Sequence, residues 1–459
     1  MKTSIIVQSW LLAIASGLCV SCVDELENEE IDEDLDEITQ FRSSPVASTG
    51  TGYHMNTPAG TKVVVGPGNR LHAVYVDSSR LKYTTSLDGL VWTAPVNIGD
   101  TTAVLPTIAV ADDGTIGVAY LRVYGPDSEI HYLSKPPFGA WSPSFKISSS
   151  AHSGPGSAGY PLQVTTPSLV AFGNTMHLAW AWMKDVFYIG FPANQSVTLG
   201  AAEEVDQNPP SCYAPAYFLN QPAIAVSRRS ASDPSPRVRI AFFDLYEQDC
   251  YSARTFSITV SERAQNGSTW QDVNALTFPY PNGQSANIGG VSMSHAAIPG
   301  TGDFYVATSY FVEGLETTEL WYENAWNTDT WRRTTLLPDR SIVDVTAQIV
   351  DCAPRLRYAI SDYTQGANGY GPTAYRTGRW TGAQAATPTW TDDAPIQIHN
   401  SGRNAEALFY SKSITTSIRL VPAVFEQRTG NTTSIVEETT TVPGAVVQVP
   451  CSKQPLPPF

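Results

Sequence analysis

From about residue 60 onward, short apolar runs alternate with clusters of Gly, Pro, Asn and Asp. Almost no window sustains the 3.6-residue apolar period of a helix. The runs are rich in Val, Ile, Tyr, Phe, Trp and Thr, so the pattern predicts strands. The most apolar runs recur: LHAVY from Leu71, IGVAY from Ile116, HLAWA from His177 and VRIAFF from Val238. They continue as FYVATSY from Phe304, LRYAIS from Leu356 and IRLVPAVF from Ile418. Ala73, Ala119, Ala179, Ala241, Ala307, Ala359 and Val421 mark the repeat, at a mean spacing of about 58 residues, the scale of a propeller blade. Seven such units fill residues 49–455. The expected fold is therefore all-β, a seven-bladed β-propeller of four-stranded antiparallel blades, each packing its faces against its neighbours.

The second unit shows the grammar. Pro106 opens a strand over residues 107–110, the Asp112-Asp113-Gly114 turn follows, and residues 115–121 form the second strand. A polar loop through Gly125-Pro126-Asp127 leads to a third strand around Ile130 to Leu133, and Trp141 precedes an outer strand near Phe145 to Ile147. Pro167 and Pro222 open later units in the same way, and a proline at a strand's first residue costs no ladder bond. Thirty-three glycines and thirty-three prolines suit tight turns and disfavour helix interiors. A blade cannot bury its faces alone, so the ring needs closure. Residues near 49–60 are expected to add a strand beside the last blade, whose other strands come from 404–449.

Before the repeat lies a leader. Lys2, a mostly apolar stretch from Ile5 to Ala15 and small residues up to Ser21 read as an export signal over residues 1–21. That run is short for a membrane span, and no later stretch reaches eighteen apolar residues. Cys19-Val20-Ser21-Cys22 resembles a loose bacterial lipobox, with Cys19 where leucine is usual. This makes Cys22 the candidate lipidation site; free secretion after ordinary cleavage is the alternative. Ten of the fourteen residues from Asp24 to Glu37 are acidic, which predicts a disordered tether over residues 22–48. The block accounts for most of the net charge of −15, and no basic stripe suits nucleic acid. Any membrane association would run through a lipid on Cys22, and a monomer is expected.

Of the six cysteines, cleavage removes Cys19 and lipidation occupies Cys22. The remaining four, in an exported chain, predict the disulfides Cys212–Cys250 and Cys352–Cys451, although four cysteines permit three connectivities and also four free thiols.

Ser86-Leu-Asp88-Gly89-Leu-Val-Trp92 resembles the Asp-box of the sialidase-like, or BNR-repeat, propellers, one residue short between Asp and Trp. Asn266 to Trp270, Asn327 to Trp331 and Phe138 to Trp141 are degenerate versions. The resemblance implies a turn between a blade's third and fourth strands, with the aspartate capping turn amides and the tryptophan packed between blades. Ser86, Asp88 and Trp92 are thus structural, as a turn-capping carboxylate and an apolar indole are on physical grounds too. The family's catalytic pattern is missing: no Arg-Ile-Pro stretch occurs anywhere in the chain.

Three long connections, from about Ser148 to Thr166, Glu204 to Asn220 and Asp272 to Gly289, join one blade's outer strand to the next blade's inner strand. Loops beyond a dozen residues in a compact domain are often functional. They carry Tyr160 and Gln163, then Tyr213, Tyr217, Asn220 and Gln221, then Tyr280 with Asn282 and Asn287. Planar rings beside amides suit a sugar's apolar face and paired hydroxyls, so an extracellular glycan or polysaccharide is the expected partner; ordinary packing of these rings on blade edges is the alternative.

A polysaccharide hydrolase would need two carboxylates about 5–9 Å apart. Asp244, Asp362 and Glu426 are candidates, with Asp77 at an equivalent position, and a repeated turn cap explains them equally. A lyase would need a base and a cation, for which His177 and His295, with Arg376 and Arg403, are placed; a strand setting favours structural histidines. A structural propeller binding a surface protein is the third reading. No cofactor is expected. No zinc spacing and no phosphate loop occurs, while the acidic pairs Asp112-Asp113 and Asp392-Asp393 leave room for a structural calcium.

Overall fold

The computed structural model describes residues 42–443 apart from connecting segments, the longest being 50–60, 149–166, 206–221 and 280–290; residues 1–41 and 444–459 lie outside the described set. All described elements but one short 3-10 turn are strands. β1 (Arg42–Thr49) opens the chain. The first four-stranded sheet runs β2 (Val63–Val65), β3 (Leu71–Asp77), β4 (Arg80–Ser86) and β5 (Val96–Asn97). The second runs β6 (Ala103–Val110), β7 (Ile116–Tyr124), β8 (Asp127–Lys135) and β9 (Phe145–Lys146). The third holds β10 (Ser168–Phe172), β11 (Thr175–Trp182), β12 (Asp185–Pro192) and β13 (Glu203–Glu204). β14 (Ala223–Ser227), β15 (Arg237–Glu247), β16 (Arg254–Ala264) and β17 (Gln271–Pro279) form the fourth. The fifth is β18 (Val291–Ile298), β19 (Thr301–Val312), β20 (Leu315–Glu323) and β21 (Trp331–Leu337).

Each of these sheets is antiparallel in simple chain order, as short connections favour. The marker alanines at 73, 119, 179, 241 and 307 all fall on the second strand of their sheet. The first strands of consecutive sheets are neighbours, β2 with β6, β6 with β10, β10 with β14 and β14 with β18.

The remaining strands are β22 (Ser341–Val350), β23 (Ala353–Asp362), β24 (Gly371–Thr381), β25 (Thr389–Asp392), β26 (Ile396–Glu406), β27 (Lys412–Ser413), β28 (Ile418–Thr429) and β29 (Thr432–Pro443). Two separate blades are expected here, but with β1 these strands form one nine-stranded sheet. The cause is β26. It pairs with β24 beyond the short stretch that β25 covers, and with β28 beyond the two residues that β27 covers. Its register shifts against both neighbours. β1 pairs with β29 from Arg42↔Thr439 to Thr49↔Thr433, so the strand beside the last hairpin comes from residues upstream of the expected 49–60 stretch.

The described core lies between sheets. Val74, Val76 and Leu81 of the first sheet meet Ile108, Val118 and Leu133 of the second. Leu121, Ile130 and Tyr132 of the second meet Met176, Leu178 and Phe191 of the third. Ala179, Val186 and Tyr188 of the third meet Ile224, Ile240 and Phe242 of the fourth. Polar ties reinforce these junctions: the Tyr132 hydroxyl donates to Ala193 O at 2.9 Å, and the Asp113 amide donates to Asn174 Oδ1 at 3.1 Å. Gly117 permits the second junction to close. A Cβ there would stand 2.6 Å from the Tyr132 hydroxyl and 2.8 Å from Met176 Cε.

The degenerate boxes supply wedges between sheets. Trp141, in the β8–β9 turn, meets Tyr83 of the first sheet edge-on at 5.0 Å, and Trp270, before β17, meets Tyr188 of the third at 5.3 Å. In the best-matching box, Ser86 and Trp92 form an isolated antiparallel bridge, and Thr93 N donates to Thr85 O at 2.9 Å; Asp88 lies outside the described residues.

The expected disulfides Cys212–Cys250 and Cys352–Cys451 are not upheld, and all six cysteines lie outside the described residues. A bridge needs Cα atoms within about 7 Å as well as an oxidising compartment, and an even count supplies only the second condition.

Candidate functional site

Each long connection singled out in the sequence starts from the fourth strand of one sheet and ends at the first strand of the next. They run from β9 to β10, from β13 to β14 and from β17 to β18, the third being shorter than the expected Asp272 to Gly289 because residues 272–279 belong to β17 and pair with β16. Four alternating strands return the chain to the end at which the sheet began, so these connections and those between second and third strands share one end of their sheets. Tyr160, Gln163, Tyr213, Tyr217, Asn220, Gln221 and Tyr280 lie outside the described residues, as do the whole of 1–41 with Cys22.

The candidate acids are dispersed. Asp244 sits in β15 opposite Ser257, and Asp362 ends β23 opposite Ser341. Glu426 sits in β28 opposite Ile435 on one side and Arg403 on the other. Arg376 lies opposite Tyr358, and His295, in β18, opposite Phe304. These positions fall on different sheets or different strand edges, and their side chains lie outside the described set. Asp77, the described equivalent, ends β3 as a turn group: it accepts from Ser78 Oγ at 2.9 Å and stands 3.9 Å from Lys82 Nζ.

His177 is fully buried. Its Nδ1 lies 2.8 Å from the Tyr188 hydroxyl, across from Gly190, where a Cβ would come within 2.7 Å of that hydroxyl. Arg263 bonds the Tyr188 oxygen, so the tyrosine's proton points to Nδ1 and the imidazole carries its own on Nε2. Arg263 also lies over the Tyr188 and Trp270 rings and pairs with Glu203 at 2.7 Å. Burial, together with the Arg263 charge, pushes the His177 pKa down to about 4. A ring with no solvent-facing edge serves the junction between the third and fourth sheets rather than a substrate. The first sheet repeats the unit: His72 Nδ1 stands 2.7 Å from the Tyr83 hydroxyl, again eleven residues on, and burial with Arg70 and Lys135 pushes its pKa to about 4. Nearby, Arg237 and the buried Arg239 both pair with Glu262.

Among the described residues, a dense polar cluster that reaches solvent was not singled out in the sequence. It lies where the second sheet faces the connection from β5 to β6. Tyr120, His131 and Lys146 stand side by side on β7, β8 and β9, because the register pairs 120 with 131 and 131 with 146. Glu129 is two residues before His131, hence on the same face of β8. Ser144 Oγ lies 3.0 Å from His131 Nδ1, while Glu129 Oε2 lies 3.0 Å from His131 Nε2. Lys146 Nζ holds the other Glu129 oxygen at 2.7 Å. The Tyr120 hydroxyl donates to Asp100 Oδ2 at 2.8 Å and stands 2.7 Å from Ser144 Oγ; Arg122 Nη1 approaches Asp100 at 3.4 Å. His131 is 6% exposed, and Asp100, Glu129 and Ser144 are partly open. Burial pushes the His131 pKa down, against the upward pull of Glu129 and Asp100. The only trace in the sequence is the alternation Glu129-Ile-His131; Asp100 and Ser144 join through register.

Asp113 caps its own turn by accepting from Thr115 N at 2.8 Å, and no group of three or more metal-ligating side chains occurs among the described residues. No described helix is long and apolar enough to cross a membrane.

No family model matches this chain, and no curated protein matches it. Among solved structures, the polysaccharide lyase Uly1 is 9% identical with a TM-score of 0.49, over 88% of this chain and 99% of that one. The Hadza microbial sialidase Hz136 is 11% identical with a TM-score of 0.43, over 87% and 68%. The Aleuria aurantia lectin, in complex with α-methyl-L-fucoside, is 9% identical with a TM-score of 0.38, over 78% and 95%. Similarity this low transfers neither a substrate nor a residue's role. The chain bears a weak structural similarity to sialidase-type propellers and lacks their Arg-Ile-Pro signature.

Proposed function

We propose that this chain is an exported seven-bladed propeller, residues 42–455, that binds an extracellular glycan through the connections from fourth strands to first strands. The observation that carries the reading is topological. The three aromatic and amide-rich connections from β9, β13 and β17 leave sheets whose first strands are consecutive neighbours, so their anchors share one end of adjoining sheets. Five separate four-stranded sheets support the blade count. Within the nine-stranded sheet, β22 to β25 and the set β27, β28, β29 and β1 each repeat the same order. The acidic segment over 22–41 serves as a tether, and lipid on Cys22 holds the body at the cell envelope. Intact mass of the membrane-extracted protein tests the anchor.

The binding test is a glycan and polysaccharide array read for both retention and release of reducing ends or unsaturated products. Retention without turnover, reduced about tenfold or more by Tyr217→Ala with Gln221→Ala, is the expected result, given roughly 1–2 kcal/mol for a stacked ring and its paired amide. Turnover would favour a polysaccharide hydrolase or lyase instead. Silence in both readouts would favour a protein partner.

A further inference from the structure

The cluster beside the first and second sheets is connected as an acyl-transfer site. The geometry points to Ser144 as a nucleophile toward short-chain acyl esters, with His131 as its general base and Glu129 as the group that positions His131. The assignment is independent of the glycan reading, because it uses none of the aromatic and amide residues of the three long connections.

Hydrogen counting fixes the resting arrangement. Glu129, held ionised by Lys146, accepts from His131 Nε2, so the neutral ring presents the Nδ1 lone pair to Ser144. Burial favours this neutral ring. Tyr120 gives its only proton to the Asp100 carboxylate, a charge-assisted bond that outcompetes a neutral acceptor. Ser144 Oγ lies within hydrogen-bond reach of His131 Nδ1, at 3.0 Å, and of the Tyr120 hydroxyl, at 2.7 Å, so its proton has a direct path to the imidazole. The imidazolium formed on attack would lie between two carboxylates, Glu129 at 3.0 Å and Asp100 at 3.9 Å. Arg122 and Lys146 each neutralise one of these acids at rest.

The reaction balances without an added oxidant or metal. Ser144 Oγ bonds to the acyl carbon while its proton passes to His131 Nδ1. The carbon–alkoxide bond then breaks, and the alcohol leaves with that proton. Water, deprotonated by His131, attacks the acyl-serine and releases the carboxylic acid, returning the proton to Ser144.

The test uses the full chain. A fluorophosphonate probe is expected to modify Ser144, located by peptide mapping, and p-nitrophenyl acetate is expected to be hydrolysed. Ser144→Ala should abolish the adduct, and His131→Gln should slow both reactions about a hundredfold, the usual contribution of a general base. Ser78→Ala, at an exposed turn serine, should match the parent. The rate should rise through the His131 titration, and Glu129→Gln should move that limb to lower pH, a shift that a purely structural carboxylate would not cause. Failure of the folded parent to form any Ser144 adduct overturns the assignment, whether or not the variants fold. So does ester hydrolysis that survives Ser144→Ala.

Discussion

Acid should loosen the junctions at which His72 and His177 sit. Each is 6% exposed or less, each has Nδ1 within 2.8 Å of a tyrosine hydroxyl, and each lies near a fixed cation, Arg70 and Lys135 for the first and Arg263 for the second. Protonation would put a second positive charge beside those groups and, at His177, oppose the hydrogen that Tyr188 donates. In the unfolded chain both rings titrate near 6.5; in the folded chain they resist until about 4. Between those values the unfolded state binds more protons, so stability is full above pH 6.5 and falls as pH drops toward 4. The loss approaches about 1.4 kcal/mol per pH unit for each ring, or about 2 kcal/mol each by pH 5 and about 3 kcal/mol each in total. Urea unfolding at pH 7, 6 and 5 measures this, in a range where carboxylates contribute little. The double variant His72→Gln with His177→Gln should lose most of that slope and keep only the part owed to His131, whose pKa burial also lowers, whatever its stability at pH 7. A parent protein equally stable at pH 7 and 5, or a double variant that keeps the slope, would refute the reasoning.

Trp270→Ala removes a buried indole that wedges against Tyr188 and should cost about 3–5 kcal/mol, read as a fall in the urea midpoint. Gly117→Ala should cost about 1–3 kcal/mol by forcing Tyr132 and Met176 apart, and thermal unfolding should show it although the substitution is small. Glu262→Gln removes the buried carboxylate shared by Arg237 and Arg239. About 3 kcal/mol should be lost at pH 7, read as a fall in the urea midpoint.

The strand pattern was legible because it is local. Alternation of side chains and the turn chemistry of Gly, Pro, Asn and Asp are fixed within a few residues, and they located every second strand from Ala73 to Ala307. The degenerate boxes were legible as turns, and their tryptophans Trp141 and Trp270 do meet the preceding sheet. Pairing beyond the hairpin was not legible. Backbone hydrogen bonds carry no sequence label, so nothing local announced that β26 would pair with both β24 and β28, or that residues 42–49 would line β29. The same holds for chemistry. An even cysteine count is not by itself enough to establish a disulfide. His177 stood in a conspicuous apolar run and is enclosed with Tyr188, whereas His131 drew no notice until register set it beside Tyr120 and Lys146 and the chain folded Ser144 and Asp100 back toward it. Sequence by itself determined strands, turns, the repeat and the acidic leader, because each depends on near neighbours. Only tertiary structure decided which polar groups meet, because residues far apart along the chain share a site only after the sheets have stacked.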